Sequence, residues 1–219
     1  NKIFLIEDCA EAFGTYYENK HVGTFGDIST FSFFGSKTIT TGEGGMVVTD
    51  NNKYANKIAR LKMVGVVKNK YYWHNMIGYN YRMTNICAAI GCAQIEKAKK
   101  ILNKKRRIFY KYKRFLKDLP IKFHEEIKNT KNSYWLVSII LTKLNLRDKL
   151  INFLKKQKVE TRPCFYPAHT MPMYKKSAKN KKFPIAKILS QNGLNLPSGP
   201  NLKTREIKFI CKKIKEFLR

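Results

Sequence analysis

The first indication of fold and chemistry comes from the segment Ser32-Phe33-Phe34-Gly35-Ser36-Lys37-Thr38. Residues 28–34 are rich in aromatic and β-branched side chains, so we predict a strand there with Lys37 in the loop that follows it. The turn Gly42-Glu43-Gly44-Gly45 comes next and offers backbone positions that tolerate positive φ. A short strand is predicted after it, at residues 46–49. The segment is therefore expected to present one lysine at the end of a strand, above a tight turn.

An acid pair, Glu7-Asp8, ends an earlier apolar run. Residues 2–7 are predicted to form a strand buried on both faces of a parallel sheet. Ligands of open α/β sheets bind outside the carboxyl ends of the strands, where Asp8 would lie. A lysine that forms a Schiff base and an acid that pairs with a pyridinium nitrogen are the two groups that pyridoxal 5'-phosphate requires. The ordinary alternatives are a helix cap at 10–13 for Asp8 and a surface lysine for Lys37.

Further polar residues could bind the phosphate of such a cofactor. The Ser32 hydroxyl can donate to a phosphate oxygen, or it can bond to a neighbouring strand carbonyl. The polar and aromatic segment 78–84 contains Asn80 and Arg82, whose side chains can bind phosphate or carboxylate. The alternative for that segment is a loop that leads into a helix.

The rest of the chain predicts a two-part α/β architecture. We expect residues 1–117 to form one domain with a mainly parallel sheet that ends in a long helix, and residues 118–219 to form a small α+β domain. The long helix starts at Thr84 or Asn85 and runs, with a kink, to Leu116. Strands are predicted at 134–141 and 159–165. Other helices are predicted at 51–63, 147–157, 184–191 and 203–218.

Composition narrows the class of protein. The formal net charge is +29, from 44 basic and 15 acidic residues, but the basic residues are spread along the chain without a nucleic-acid motif. We therefore expect no nucleic-acid partner, only some attraction for anionic substrates. No apolar stretch is long enough for a membrane helix and no leader peptide opens the chain, so we expect a cytoplasmic protein. Five scattered cysteines without a CxxC pair predict neither disulfides nor a metal site.

Taken in order, several motifs resemble the DegT/DnrJ/EryC1/StrS family of nucleotide-sugar aminotransferases, which have the pyridoxal-phosphate transferase fold type I. The resemblance covers nearly the whole chain, and its segment 166–174 is most similar to enzymes that make 4-amino-4,6-dideoxy sugars. The matching segments are Ile6–Gly14, Val22–Asp27, Phe31–Lys37, Thr41–Thr49, Tyr79–Asn85, Glu160–Pro163 and Phe165–Pro167.

The resemblance implies a role for each matching residue. Lys37 forms the Schiff base and carries the proton, Asp8 pairs with the pyridine nitrogen, and Ser32 contacts the phosphate. Glu11 lies near the cofactor at a position that is often Gln or His in relatives. Asn80 reaches the cofactor phosphate of a neighbouring subunit, which implies a homodimer with shared active sites. The implied substrates are L-glutamate and a nucleotide-linked 4-keto-6-deoxy sugar, and the implied substrate-binding residues are Arg162 and His169.

The chain departs from the family in length. Family members are considerably longer, and the portion that precedes the Asp8 strand is absent here. The chain also begins at Asn1 rather than Met, so we expect a fragment or truncated copy. One alternative is therefore a non-catalytic piece that acts only with a missing N-terminal half. A related dehydratase activity is disfavoured, because those relatives carry His where this chain has Lys37.

Overall fold

The chain divides into two units in the computed structural model, which describes residues 3–219. Unit 1 comprises Asn1–Asn103 and Glu126–Trp135, and unit 2 comprises Lys104–Glu125 and Leu136–Arg219. The domain boundary between residues 117 and 118 stays a prediction. No helix within the described range 3–219 is long and apolar enough to cross a membrane.

A three-stranded sheet in unit 1 carries the acid pair. Its strands are β1 (Ile6–Asp8), β4 (Ile28–Ser32) and β5 (Gly45–Val48), in the order β1-β4-β5. The β1–β4 pair is parallel and the β4–β5 pair is antiparallel. The observed strand β1 is thus shorter than the predicted strand at 2–7 and lies further along the chain. Residue 2 of the predicted strand lies outside the described residues. The predicted burial of this strand is wrong: Ile6 is 68% exposed, because no described element covers this side of β1.

A second small sheet in unit 1 was not predicted. Strands β2 (Tyr16–Tyr17), β3 (Lys20–His21) and β7 (Thr130–Lys131) pair antiparallel in the order β3-β2-β7. Each strand has only two residues, too few for a visible alternation of apolar and polar side chains. The sheet matters because it fastens the distant segment 126–135 to the first part of the chain.

The helices of unit 1 follow the predicted positions closely. Helix α1 (Asn52–Leu61) begins after Asn51, whose side chain accepts hydrogen bonds from two backbone N–H groups. Helix α2 (Asn85–Glu96) begins after Thr84, whose hydroxyl accepts from the Cys87 N–H. The long predicted helix breaks at Lys97, and α3 (Ala98–Phe115) continues after it into unit 2, which begins at Lys104. The predicted start and kink are confirmed.

Unit 2 is an α+β assembly around an antiparallel sheet. The strands β6 (Ile121–Phe123), β8 (Val137–Leu141), β9 (Arg162–Pro163) and β10 (Gly193–Leu196) take the order β6-β8-β10-β9. Its further helices are α4 (Arg147–Lys156), α5 (Pro184–Asn192) and α6 (Thr204–Leu218). The predicted strand at 159–165 shrinks to two residues, since only Arg162 and Pro163 pair with β10.

Candidate active site

The sheet of unit 1 brings Asp8 and Ser32 to one edge. Because β1 and β4 are parallel, their carboxyl ends lie at the same edge of the sheet. Asp8 pairs in register with Thr30, two residues before Ser32, and side chains two residues apart share a face of the sheet. Asp8 and Ser32 therefore lie on the same face, at neighbouring strand ends.

Asp8 also interacts with its own backbone. Its Oδ1 accepts a hydrogen bond from Ala10 N at 3.1 Å, as the capping alternative requires. Residues 10–13, however, form turns rather than a helix, with Ala12 N donating to Cys9 O at 3.0 Å. The side chain remains exposed at the strand end, so the local bond fixes the carboxylate without burying it.

Lys37 lies in an enclosed setting. Its backbone N–H donates to Phe34 O at 3.0 Å, which closes a turn directly after the strand. The side chain is only 14% exposed, and its Nζ lies 3.3 Å from Glu11 Oε1. The same nitrogen lies 4.2 Å from the centre of the Trp135 ring. The Lys37 side chain is thus more enclosed than that of an ordinary surface lysine.

The glycine-rich turn has the predicted backbone. Gly42 and Gly44 have φ of +81° and +141°, as expected for positions that other residues rarely adopt. A Cβ at Gly44 would come within 2.7 Å of Met83 Cε and 2.8 Å of Thr41 Oγ1. Phe33 N donates to Gly44 O at 2.9 Å, which ties the turn to the residue that follows β4. The turn thus fixes the path of the chain after Lys37.

Glu7 holds the crossover between β1 and β4. Its carboxylate accepts three backbone hydrogen bonds, from Gly23, Phe25 and Gly26, at 2.7–2.8 Å. Burial raises the pKa of Glu7, but these three donors outweigh it and hold the pKa below its usual value. The sequence marked Glu7 only as one of an acid pair. In the structure it is an anchor that keeps the end of β1, and hence Asp8, in register with β4.

The two candidate phosphate-binding residues, Ser32 and Asn80, lie in different parts of unit 1. Ser32 Oγ accepts a long hydrogen bond of 3.4 Å from Phe34 N, so the hydroxyl faces the start of the lysine loop. Asn80 forms an isolated bridge with Met63. It lines an open cavity of about 600 Å³ with Lys62, Arg82 and other residues of segments 62–66 and 80–86.

The two substrate-binding candidates belong to unit 2. Arg162 lies on β9 and forms an exposed ion pair of 3.2 Å with Glu160. His169 is half-buried and stacks on Phe183, with 4.3 Å between ring centres. Their participation in the site stays a prediction.

Comparison with known proteins identifies the family of this chain. A sequence model of the DegT/DnrJ/EryC1/StrS aminotransferase family matches residues 1–215. The chain belongs to this family. The GDP-perosamine synthase of Escherichia coli O157:H7 is 53% identical over 98% of this chain and 58% of its own length. The GDP-perosamine synthase of Vibrio cholerae is 52% identical over 98% of this chain and 59% of its own length.

A solved structure of the same kind supports the fold. Helicobacter pylori PseC, an aminotransferase involved in pseudoaminic acid biosynthesis, superimposes with a TM-score of 0.91 at 25% identity. The match covers 99% of this chain and 60% of PseC. The predicted fold type I is therefore confirmed for this DegT/DnrJ/EryC1/StrS chain. The chain nevertheless spans less than two thirds of the length of these relatives.

Sequence reasoning missed Trp135 in this member of the DegT/DnrJ/EryC1/StrS family. Residues 134–141 were predicted to be one strand, but the strand begins at Val137 and Trp135 precedes it. The Trp135 Nε1 donates to Ser36 O at 2.8 Å, next to the lysine. The contact joins residues 99 positions apart, and no local pattern could have indicated it.

Proposed function

We propose that this chain is the catalytic-lysine part of an aminotransferase that acts on nucleotide sugars. The enzyme would move an amino group from L-glutamate to the keto carbon of a nucleotide-linked 4-keto-6-deoxy sugar. Membership of the family and the two similar GDP-perosamine synthases support this substrate class. The observation that carries the proposal is the enclosed Lys37 amine, which follows β4 at the sheet edge where Asp8 ends β1.

The residues present fit pyridoxal phosphate, the cofactor of the family's aminotransferases. An amine, a carboxylate and a hydroxyl are the chemical partners of its aldehyde, ring nitrogen and phosphate. Asp8 and Ser32 would supply the carboxylate and the hydroxyl from neighbouring strand ends, and Lys37 would supply the amine from the turn that follows β4. When bound, the cofactor supplies an electron-withdrawing ring that stabilises the carbon from which a proton is removed.

The protein's own residues would then divide the work. The Asp8 carboxylate, fixed by Ala10 N, would keep the ring nitrogen protonated. The Lys37 Nζ would hold the cofactor and, when released, take a proton from one carbon and return it to another. Lys37 must lose its own proton to act as a base. The Glu11 carboxylate, 3.3 Å away, pairs with the charged amine and would orient it until that proton is lost.

The remaining assignments concern binding. The Arg162 guanidinium and His169 would bind substrate, since a guanidinium can pair with carboxylate or phosphate in two parallel hydrogen bonds. Asn80 would reach the cofactor phosphate of a second subunit, which makes the functional unit a homodimer with shared sites. We place this enzyme in the cytoplasm, with no nucleic-acid or membrane partner.

The test of the lysine is chemical. We expect pyridoxal phosphate followed by borohydride reduction to leave the cofactor on the peptide that contains Lys37, as measured by mass spectrometry. Lys37→Ala should abolish this label. Lys20→Ala, which changes an exposed lysine that lies over Phe25, should leave it intact. Labelling spread equally over many lysines would contradict the assignment.

A second candidate is a chain that is inactive by itself. The observation that favours it is the coverage of only 58–59% of the similar GDP-perosamine synthases. The labelling is therefore repeated with the unmatched part of the Escherichia coli relative added in trans. Specific label at Lys37 only in the mixture would support this candidate. Label at Lys37 without the addition would show that the chain holds the cofactor alone.

A further inference from the structure

We propose that Trp135 is a positioning residue for Lys37, a role that rests on the proposed function of this lysine. The indole ring lies under the Lys37 ammonium, with 4.2 Å between Nζ and the ring centre. A cation over the face of a tryptophan is attracted by the ring's quadrupole, and tryptophan is the strongest of the aromatic residues in this respect.

The ring is itself fixed to the lysine loop. The Trp135 Nε1 donates a hydrogen bond of 2.8 Å to the carbonyl of Ser36, the residue that precedes Lys37. One side chain thus contacts both the backbone and the amine of the same short loop. This hydrogen bond holds the ring against the loop, so the amine keeps its aromatic neighbour.

The segment that carries Trp135 is fastened to unit 1 on its other side. Strand β7 pairs with β2, so that Tyr16 faces Lys131 and Tyr17 faces Thr130. The Thr15 hydroxyl adds two contacts with Ser133, donating to its hydroxyl at 3.1 Å and accepting from its N–H at 3.2 Å. Trp135 lies two residues beyond this attachment, so the backbone position from which its ring extends is fixed.

Together with Glu11, the ring defines where the Lys37 ammonium rests when the lysine is not bound to the cofactor. The Lys37 nitrogen lies 3.3 Å from the carboxylate of Glu11 and also contacts the face of the Trp135 ring. During amino transfer the lysine must alternate between bound and free states, and the free amine must stay near the reacting carbons. A resting place formed by one anion and one aromatic face does this without a second covalent bond.

The test measures the Lys37 amine without the cofactor. A small acylating reagent is applied briefly, and the modified fraction at Lys37 is measured by mass spectrometry. We expect Trp135→Leu to accelerate modification of Lys37 by about two- to fivefold, because the ammonium loses its aromatic partner. Trp135→Phe keeps a ring face and should stay within about twofold of the parent. Equal rates in all three proteins would overturn the proposal.

Trp73 provides a matched control. It is the second of the two tryptophans, and the Lys70 Nζ lies 3.8 Å from its ring centre. Trp73→Leu should change the rate at Lys70 and leave the rate at Lys37 unaltered. An equal response of Lys37 to both tryptophan substitutions would indicate a general loss of structure and would count against positioning by Trp135.

A reciprocal measurement applies if Trp135→Leu fails to fold. With Trp73→Phe, Trp135 is the sole tryptophan, and its emission reports on its neighbour. Lys37→Met should shift that emission, whereas Lys20→Met should not; no shift would refute the contact. Failure of the proposed function is seen separately, as absence of pyridoxal phosphate label at Lys37 in every variant while the acylation rates still differ.

Discussion

The sheets of the two units bury their side chains very differently. In unit 2, Val137, Ile139 and Leu194 are fully buried between the central strands and the helices. In unit 1, Ile6, Met46 and Val47 lie on the sheet and are all exposed. The two sheets contain similar apolar residues, so the difference is one of covering elements rather than of composition.

The helices repeat the contrast. Helix α6 buries one complete face, which includes Ile207, Ile210 and Ile214. Helix α2 is apolar on several sides but buries none of its residues, and Ile86 is 76% exposed. A helix that is apolar all round normally lies inside a protein. Unit 2 is therefore stabilised mainly by its own core, whereas unit 1 has polar anchors such as Glu7 and leaves the apolar faces of its sheet and of α2 exposed.

The largest expected effect comes from removing core side chains in unit 2. Leu154→Ala should lower the free energy of unfolding by about 2–5 kcal/mol, because it leaves a cavity beneath α4. Ile86→Ala on α2 should change it by less than about 0.5 kcal/mol in this chain. Chemical denaturation followed by circular dichroism measures both. A similar cost for the two substitutions would show that α2 is covered and would break the comparison.

Local signals explain what could be predicted. The helix at α2 was marked by its capping Thr84, and the positive φ at Gly42 and Gly44 by the residue type itself. The arrangement of Asp8 and Ser32 at one sheet edge followed from two strands that are each visible in the sequence. These features depend on residues close to one another in the chain.

Features that depend on contacts between distant parts of the chain could not be predicted from the sequence. The β2–β7 pairing and the Trp135 contact join segments more than 95 residues apart, and each strand is only two residues long. Burial of the first strand was inferred from its apolar run, which indicates a preference for burial but not the presence of a cover. The three backbone hydrogen bonds to Glu7 could not be predicted, because the sequence does not indicate towards which side of the sheet a carboxylate at a strand end points.

The core of unit 2 contains a buried lysine, Lys105, whose protonation should make the stability of this unit depend on pH. The Lys105 amine is buried and donates to Ser198 O at 3.2 Å, and its burial lowers its pKa to about 8 from a usual value of 10.5. The unfolded chain therefore binds more protons than the folded one between about pH 8 and 10.5, and stability should rise with pH across that window. Below it, the charged amine weakens the core.

Lys105→Met should remove this pH dependence. The difference in unfolding free energy between parent and variant should change by up to about 3 kcal/mol between pH 7.5 and 10.5. Thermal or denaturant unfolding across that range measures it. Lys113→Met, which changes an exposed lysine on the same helix α3, is the control and should follow the parent. A parallel course of parent and Lys105→Met would show that the amine is solvated.

The smallest effect should come from the polar anchor of unit 1. Glu7→Gln keeps the shape of the side chain but removes the charge that accepts from Gly23, Phe25 and Gly26. We expect a loss of about 1–3 kcal/mol, together with faster hydrogen exchange at these three amides. Exposed Glu18→Gln should change neither quantity.

The sign of the pH effect provides a second check on Glu7. Its folded pKa is depressed, so the stabilisation is fully present above the unfolded value of 4.5 and is lost as pH falls through the folded pKa. Amide protection in segment 22–27, corrected for the intrinsic pH dependence of exchange, should therefore fall in the acidified parent and stay constant in Glu7→Gln. If acid loosens this segment equally in both proteins, another group holds the crossover. The register that places Asp8 would then depend on strand pairing alone.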